Sequence, residues 1–209
     1  MKNIFKTISL LTIFILMFTL VGCNEPHEHT FVDKKCECGE VHDCSYIDGI
    51  CECGYINQEL RVEFINNNLK NSNYTSSNYN KKIEFSGVIL LEENTSSEFN
   101  GATYNVTSII KKLNDKGILE ENTLTEESTE PTEISLELKA EYFSEFNIND
   151  KTVEGKILDS AAQTFIGTSA TNIEIKVTLN NDLKVSNITL KYIDSETNFN
   201  VSISVSYNY

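Results

Sequence analysis

Apolar and polar residues alternate along most of the second half of the chain. Ile173, Ile175, Val177 and Leu179 fall on one side, Asn180-Asn181-Asp182 turns the chain, and Leu183 to Ile193 returns. The returning segment slips in phase near Ser186-Asn187, as a β-bulge would make it. Phe199, Val201, Ile203, Val205 and Tyr207 then alternate against Asn200, Ser202, Ser204, Ser206 and Asn208. A period of two with one apolar and one wet face predicts an antiparallel meander that covers a core on one side only.

Upstream the pattern is mixed. Residues 57–69 read as an amphipathic helix with Leu60, Phe64, Ile65 and Leu69 on a shared face, ended by the polar run NNNLKNSNYTSSNYN. Ile83, Phe85, Gly87, Ile89 and Leu91 alternate as one strand, Ala102 to Lys111 as a second, and Glu133 to Tyr142 as a third. In that third strand Ile134, Leu136, Leu138 and Ala140 point inward. The stretch NDKGILEENTLTEESTEPTE, acidic and poor in apolar residues, reads as a loop. Phe146 to Lys156 reads as a further strand, and Leu158 to Ile166 as a short helical turn closed by Gly167. The fold class is therefore α+β and mostly β: a curved antiparallel sheet of six or seven strands with one packed helix, spanning residues 57–209.

The chain begins quite differently. Lys2 and Lys6 precede an apolar run from Ile8 to Leu20, which ends in Leu20-Val21-Gly22-Cys23. That layout is the one a signal peptide has, and the last four residues resemble a bacterial lipobox. The resemblance implies cleavage before Cys23, so that residues 1–22 are a signal peptide. It also implies diacylation of the Cys23 thiol, with residues 23–26 as a lipid anchor on the outer face of the cell membrane. A spanning helix that stays attached is the competing reading, but the apolar run is shorter than the ~20 residues a span prefers.

Residues 27–56 contain all three histidines and five of the six cysteines. They divide into two back-to-back units, HEHTFVDKKCECGEV (27–41) and HDCSYIDGICECGYI (42–56). His27 aligns with His42, His29 with Cys44, Cys36 with Cys51, Cys38 with Cys53 and Gly39 with Gly54. Each unit reads His-x-[His/Cys]-x6-Cys-x-Cys-Gly, which offers the four soft or borderline ligands of a closed tetrahedral zinc site. Two zinc ions are expected, one held by His27, His29, Cys36 and Cys38, the other by His42, Cys44, Cys51 and Cys53. An interleaved set is the alternative, in which Cys36 and Cys38 join His42 and Cys44.

Disulfides are the competing use of these thiols, since the compartment outside the cytoplasm permits oxidation. Against them stands the exchange of His29 for Cys44 at one aligned position. Those two residues are interchangeable as zinc ligands but not as disulfide partners. Five cysteines also remain after lipidation, an odd number. In each unit the gap before the Cys-x-Cys-Gly turn allows a short hairpin. Phe31-Val32 and Tyr46-Ile47 are expected to plug it, and the glycine to take positive φ. So small a unit draws its folding free energy from the metal. Residues 57–209 carry no such ligand and are expected to fold without metal.

The paired units resemble short zinc-ribbon-like repeats of cell-surface proteins and lipoproteins from low-GC Gram-positive bacteria and their wall-less relatives. There a His-x-His-x-Phe stretch precedes a Cys-x-Cys-Gly or Cys-x-x-Cys-Gly knuckle. The C-terminal region resembles, in architecture alone, the LolA-like half-barrel lipoproteins. That resemblance implies a hydrophobic ligand in a concave face. A sheet and helix closed on each other, leaving no cavity, is the alternative.

Charge and composition narrow the function. The formal net charge of −14 argues against a nucleic-acid partner, because phosphate contacts need clustered Lys and Arg. From Leu60 onward there is no His and no Cys, and no nucleophile stands beside a base. No glycine-rich phosphate loop is present. The reading is a non-enzymatic, membrane-anchored lipoprotein with structural zinc repeats and a β-rich domain for a hydrophobic ligand or a surface protein partner. The alternative is a zinc-capture accessory lipoprotein in which the repeats are the functional part.

Overall fold

A computed structural model describes residues 43–70, 73–129 and 136–209, together with the backbone of Phe31–Val32 and Lys35–Cys36. The expected signal peptide and anchor lie outside the described residues. Tyr46–Cys51 groups with Ile56–Tyr209 in one compact unit, and of the other described residues 43–45 and Glu52–Tyr55 fall outside it.

Two short hairpins come first, β1 (Phe31–Val32) with β2 (Lys35–Cys36) and β3 (Tyr46–Ile47) with β4 (Ile50–Cys51). Helix α1 follows at Gln58–Lys70. The remaining strands are β5 (Ser76–Phe85), β6 (Val88–Phe99), β7 (Tyr104–Leu113), β8 (Leu119–Ser128), β9 (Phe143–Ile148), β10 (Thr152–Ile157), β11 (Ala170–Leu179), β12 (Val185–Asp194) and β13 (Asn200–Asn208). A short helix α2 (Ala162–Ile166) lies between β10 and β11 and is closed by Gly167 at φ +76°. The large strands form one nine-stranded antiparallel sheet, ordered β8-β7-β6-β5-β13-β12-β11-β10-β9. The mostly β, antiparallel class read from the sequence holds, with nine strands in place of six or seven.

The extra strands have clear origins. The run from Ile83 to Leu91 is not one strand but the join of two, because Ser86 (φ +49°) and Gly87 (φ +81°) make a two-residue turn. The polar run does not end the helix at its start: Asn66–Lys70 stay helical, and Ser76–Asn80 open β5, where backbone pairing with Asn208 through Ser204 of β13 supplies what side chains do not. Residues 143–157 hold two strands, turned at Asn149–Lys151 where the Lys151 N–H donates to Asn149 Oδ1. The acidic stretch read as a loop contains β8, paired in unbroken register with all of β7. Its side chains are exposed almost throughout, so nothing in its composition needed to be apolar. Glutamates on such an edge strand discourage pairing with further copies.

One expected strand is absent. Leu136 and Leu138 are buried as their alternation suggested, but Leu136–Lys139 pairs with no strand among the described residues. The Leu138 N–H donates to Asn66 Oδ1 (2.9 Å) and Asn66 Nδ2 donates to the Leu138 carbonyl (2.8 Å). A helix side chain thus does the work of a neighbouring strand. Ala140–Tyr142 then winds into a 3-10 turn.

The core lies on one face of the sheet. Val153 and Ile157 of β10, Ile173 through Leu179 of β11, Ile188 and Leu190 of β12, and Val205 and Tyr207 of β13 pack with Val62 and Ile65 of α1 and Phe165 of α2. Each such apolar side chain contributes roughly 1.5–3 kcal/mol on burial. The helix face differs from the expected one: Arg61, Val62 and Ile65 are buried, while Leu60 is 40% exposed. The predicted bulge is present, since Thr178 pairs with Asn187 and Leu179 with Val185, leaving Ser186 as the extra residue.

The opposite face carries an ordered row of charge. Following the pairing from β9 to β8, the opposed residues are Glu145, Lys156, Glu174, Lys191, Ser202, Lys82, Glu92, Lys111 and Glu121. Acid and base alternate on either side of the serine. Cross-strand pairs of this kind are individually weak. They nonetheless oppose a two-residue slip of β12 along β11 in the direction that would bring Lys191 opposite Lys176.

Candidate metal centre

The second repeat folds around a tight turn. Asp48 (φ +52°) and Gly49 (φ +81°) occupy its two central positions, both left-handed, as a type I′ hairpin turn demands. Tyr46 then pairs with Cys51 and Ile47 with Ile50. In the first repeat Phe31 pairs with Cys36 and Val32 with Lys35. The four positions match residue for residue at the repeat period, so the sequence duplication is also a duplication of backbone register.

Past β4 the chain turns through Glu52-Cys53 and Gly54, whose φ is +85°, the positive value expected for it. Ile56 bridges back to Ile50. This local folding gathers three thiols. The Sγ atoms of Cys44, Cys51 and Cys53 all lie within 4.8 Å of one another. Cys44 Sγ and Cys53 Sγ are 3.8 Å apart, and no disulfide joins any of the three. In a tetrahedron of thiolates around zinc, with Zn–S near 2.3 Å, neighbouring sulfurs stand about 3.8 Å apart. Cys51 is buried, at 2% exposure, and Cys44 and Cys53 are half-buried. Such a cluster can hold a metal ion.

Of the expected ligands, the structure brings together Cys44, Cys51 and Cys53. Cys36 is described in its backbone alone, at the position equivalent to Cys51. His27, His29, Cys38 and His42, like the lipidation residue Cys23, lie outside the described residues. One expectation fails. Ile47 does not plug the hairpin but is 78% exposed. In a two-residue hairpin Ile47 and Ile50 are opposed on one face while Tyr46 and Cys51 share the other, so the thiol side takes the tyrosine.

Two features of this region went unread in the sequence. Asp48-Gly49 is itself a strong hairpin signal. Arg61, the chain's single arginine, sits four residues before Ile65 and so on the buried helix face. Its side chain is fully buried and packs against the Phe64 ring at 4.9 Å. Arg61 Nη1 donates to the Asp48 carbonyl at 2.9 Å and Nη2 donates to the Asp150 carbonyl. Burial pushes the guanidinium below its ordinary value, while the charges of Asp48 and Asp150 act in the opposite sense. Asn57 caps the helix, its Oδ1 accepting from the Leu60 N–H at 3.2 Å, and the Asn57 N–H donates to the Gly49 carbonyl at 2.9 Å.

Several open depressions mark the surface of the described residues. One of about 480 Å³ on the charged sheet face is lined by Glu145, Glu154, Glu174, Lys156 and Lys176, with Lys191 at its end. Two of its lysines are engaged: Lys156 meets Glu145 at 2.8 Å and Lys176 meets Glu154 at 2.9 Å. No protein-family model matches the chain, and no curated protein matches it.

Proposed function

We propose that this protein is a non-enzymatic lipoprotein anchored to the outer face of a bacterial membrane through Cys23, with two structural zinc sites ahead of a β-rich binding domain. The observation that carries the metal assignment is the sulfur separation at Cys44 and Cys53, which suits the edge of a zinc–thiolate tetrahedron. His42, two residues before Cys44, would complete the second site. His27, His29, Cys36 and Cys38 would form the first, and the shared register of β1–β2 and β3–β4 supports that duplication.

Four protein ligands leave no open position, so such sites hold structure and do not activate water. Cys51 is buried, so a metal bound there would be shielded from water on that side. The β-rich domain would then bind a hydrophobic ligand or a surface protein partner. Native mass spectrometry of the unlipidated mature chain tests the metal reading. Two zinc ions per chain are expected; a metal-free protein with disulfide-linked cysteines would overturn it. Metal that survives dialysis against a weak chelator is the structural outcome. Exchange within seconds would favour zinc capture as the function.

A further inference from the structure

The hairpin tip of the second repeat is seated on α1, and Arg61 holds it there. Its guanidinium donates to Asp48 at the tip and to Asp150 in the β9–β10 turn. One buried cation therefore joins the metal-binding hairpin to an edge hairpin of the sheet. The fit is close: a Cβ on Gly49 would stand 2.6 Å from Arg61 Cα and 2.9 Å from Arg61 Cβ. The first repeat has Lys34 at the position of Gly49 and could not enter this seat.

The hairpin is too short to persist by itself. When β3–β4 loosens, Arg61 loses the Asp48 carbonyl and retains only Asp150. Among the described residues its Nε has no hydrogen-bond partner. A buried cation stripped of an acceptor is strongly destabilising. Metal at Cys44, Cys51 and Cys53 would fix the hairpin and so fix the acceptor.

We propose that metal occupancy of the second repeat is thermodynamically linked, through Arg61, to the stability of the β9–β10 edge of the sheet. The link rests on the metal reading above. It makes the β-rich domain responsive to metal although residues 57–209 contain no ligand. A chain stripped of metal would loosen at the edge strands where a partner could engage, and a loaded chain would hold them.

The test uses the unlipidated mature chain, with zinc chloride added or removed by a chelator. Hydrogen exchange is followed at the Asn149 and Lys151 amides, which are bonded to Thr152 O and Asn149 Oδ1. Zinc is expected to slow their exchange at least tenfold. It is also expected to raise the Tm by roughly 5–10 °C at a hundredfold excess over Kd. In Arg61→Met, zinc should still bind with unchanged stoichiometry while the β9–β10 response disappears. Zinc that binds wild-type protein without altering exchange at these two amides would overturn the link, as would an Arg61→Met variant that responds like wild type. If Arg61→Met fails to fold, the wild-type exchange measurement decides alone. A chain that takes up no zinc overturns the metal reading and the link with it, and native mass spectrometry identifies that case.

Discussion

Asn66 engages both backbone groups of Leu138, accepting from its N–H and donating to its carbonyl. Leu138 is buried in the core, so neither group has water to fall back on. The helix and the segment entering β9 are therefore joined by a side chain that imitates a strand edge. Asn66→Ala leaves two buried backbone groups unsatisfied at about 1–3 kcal/mol each. The expected loss is roughly 2–4 kcal/mol in a denaturant titration, with the m-value unchanged. Asn66→Asp keeps the acceptor and should recover part of the loss.

The duplicated register makes a prediction about metal stoichiometry. If each repeat has its own ligands, changing Cys36 and Cys38 to Ser removes one zinc and leaves the other. Native mass spectrometry should show a fall from two ions to one, with Cys44 still protected from alkylation. Rapid alkylation of Cys44 in that variant would point to interleaved sites.

Tyr79 is expected to ionise late. Burial first, then the nearby Glu93 charge and Tyr192, push its phenol up from 10.0 to about 12. A raised folded-state value means the native chain keeps a proton that the unfolded chain releases. The associated stability is present below about pH 10 and is lost as the pH rises toward 12. Ultraviolet titration should show a high-pH component among the nine tyrosines, to which Tyr192, also raised by burial, contributes, and which shrinks in Tyr79→Phe. A Tyr79 titrating near pH 10 in folded protein would contradict this.

Anchoring is tested at Cys23. With Cys23→Ala the acyl acceptor is gone, so palmitate labelling should vanish and unprocessed precursor or released chain should accumulate. Labelling equal to wild type would show that the anchor lies elsewhere.

Legibility in the sequence followed the solvent. β11 through β13 bury one face and expose the other, so Ile173, Val177 and Val205 could be placed from period alone, as could the Ser186 bulge. β8 is wet on both faces, and its backbone pairing leaves no mark on composition. Ser86-Gly87 escaped notice because it preserves the alternation of the two strands it joins. In the candidate site, the repeat period marked Cys44, Cys51 and Cys53 before any geometry was known. The seat on α1 was hidden, because it depends on a backbone carbonyl at Asp48 meeting a residue thirteen positions away.

The place of β13 affects how the molecule comes into being. It is the last strand of the chain and the fifth of nine across the sheet, bonded to β12 on one side and β5 on the other. Until Asn200–Asn208 has left the ribosome, β5–β8 and β9–β12 are separate meanders, each with a bare inner edge. Thr75 donating to Asn208 spans a sequence separation of 133, among the most remote contacts in the fold. Closing so large a loop is entropically late. Completion of the sheet therefore waits on Asn200–Asn208, and the two meanders become one sheet only when that segment is seated between them.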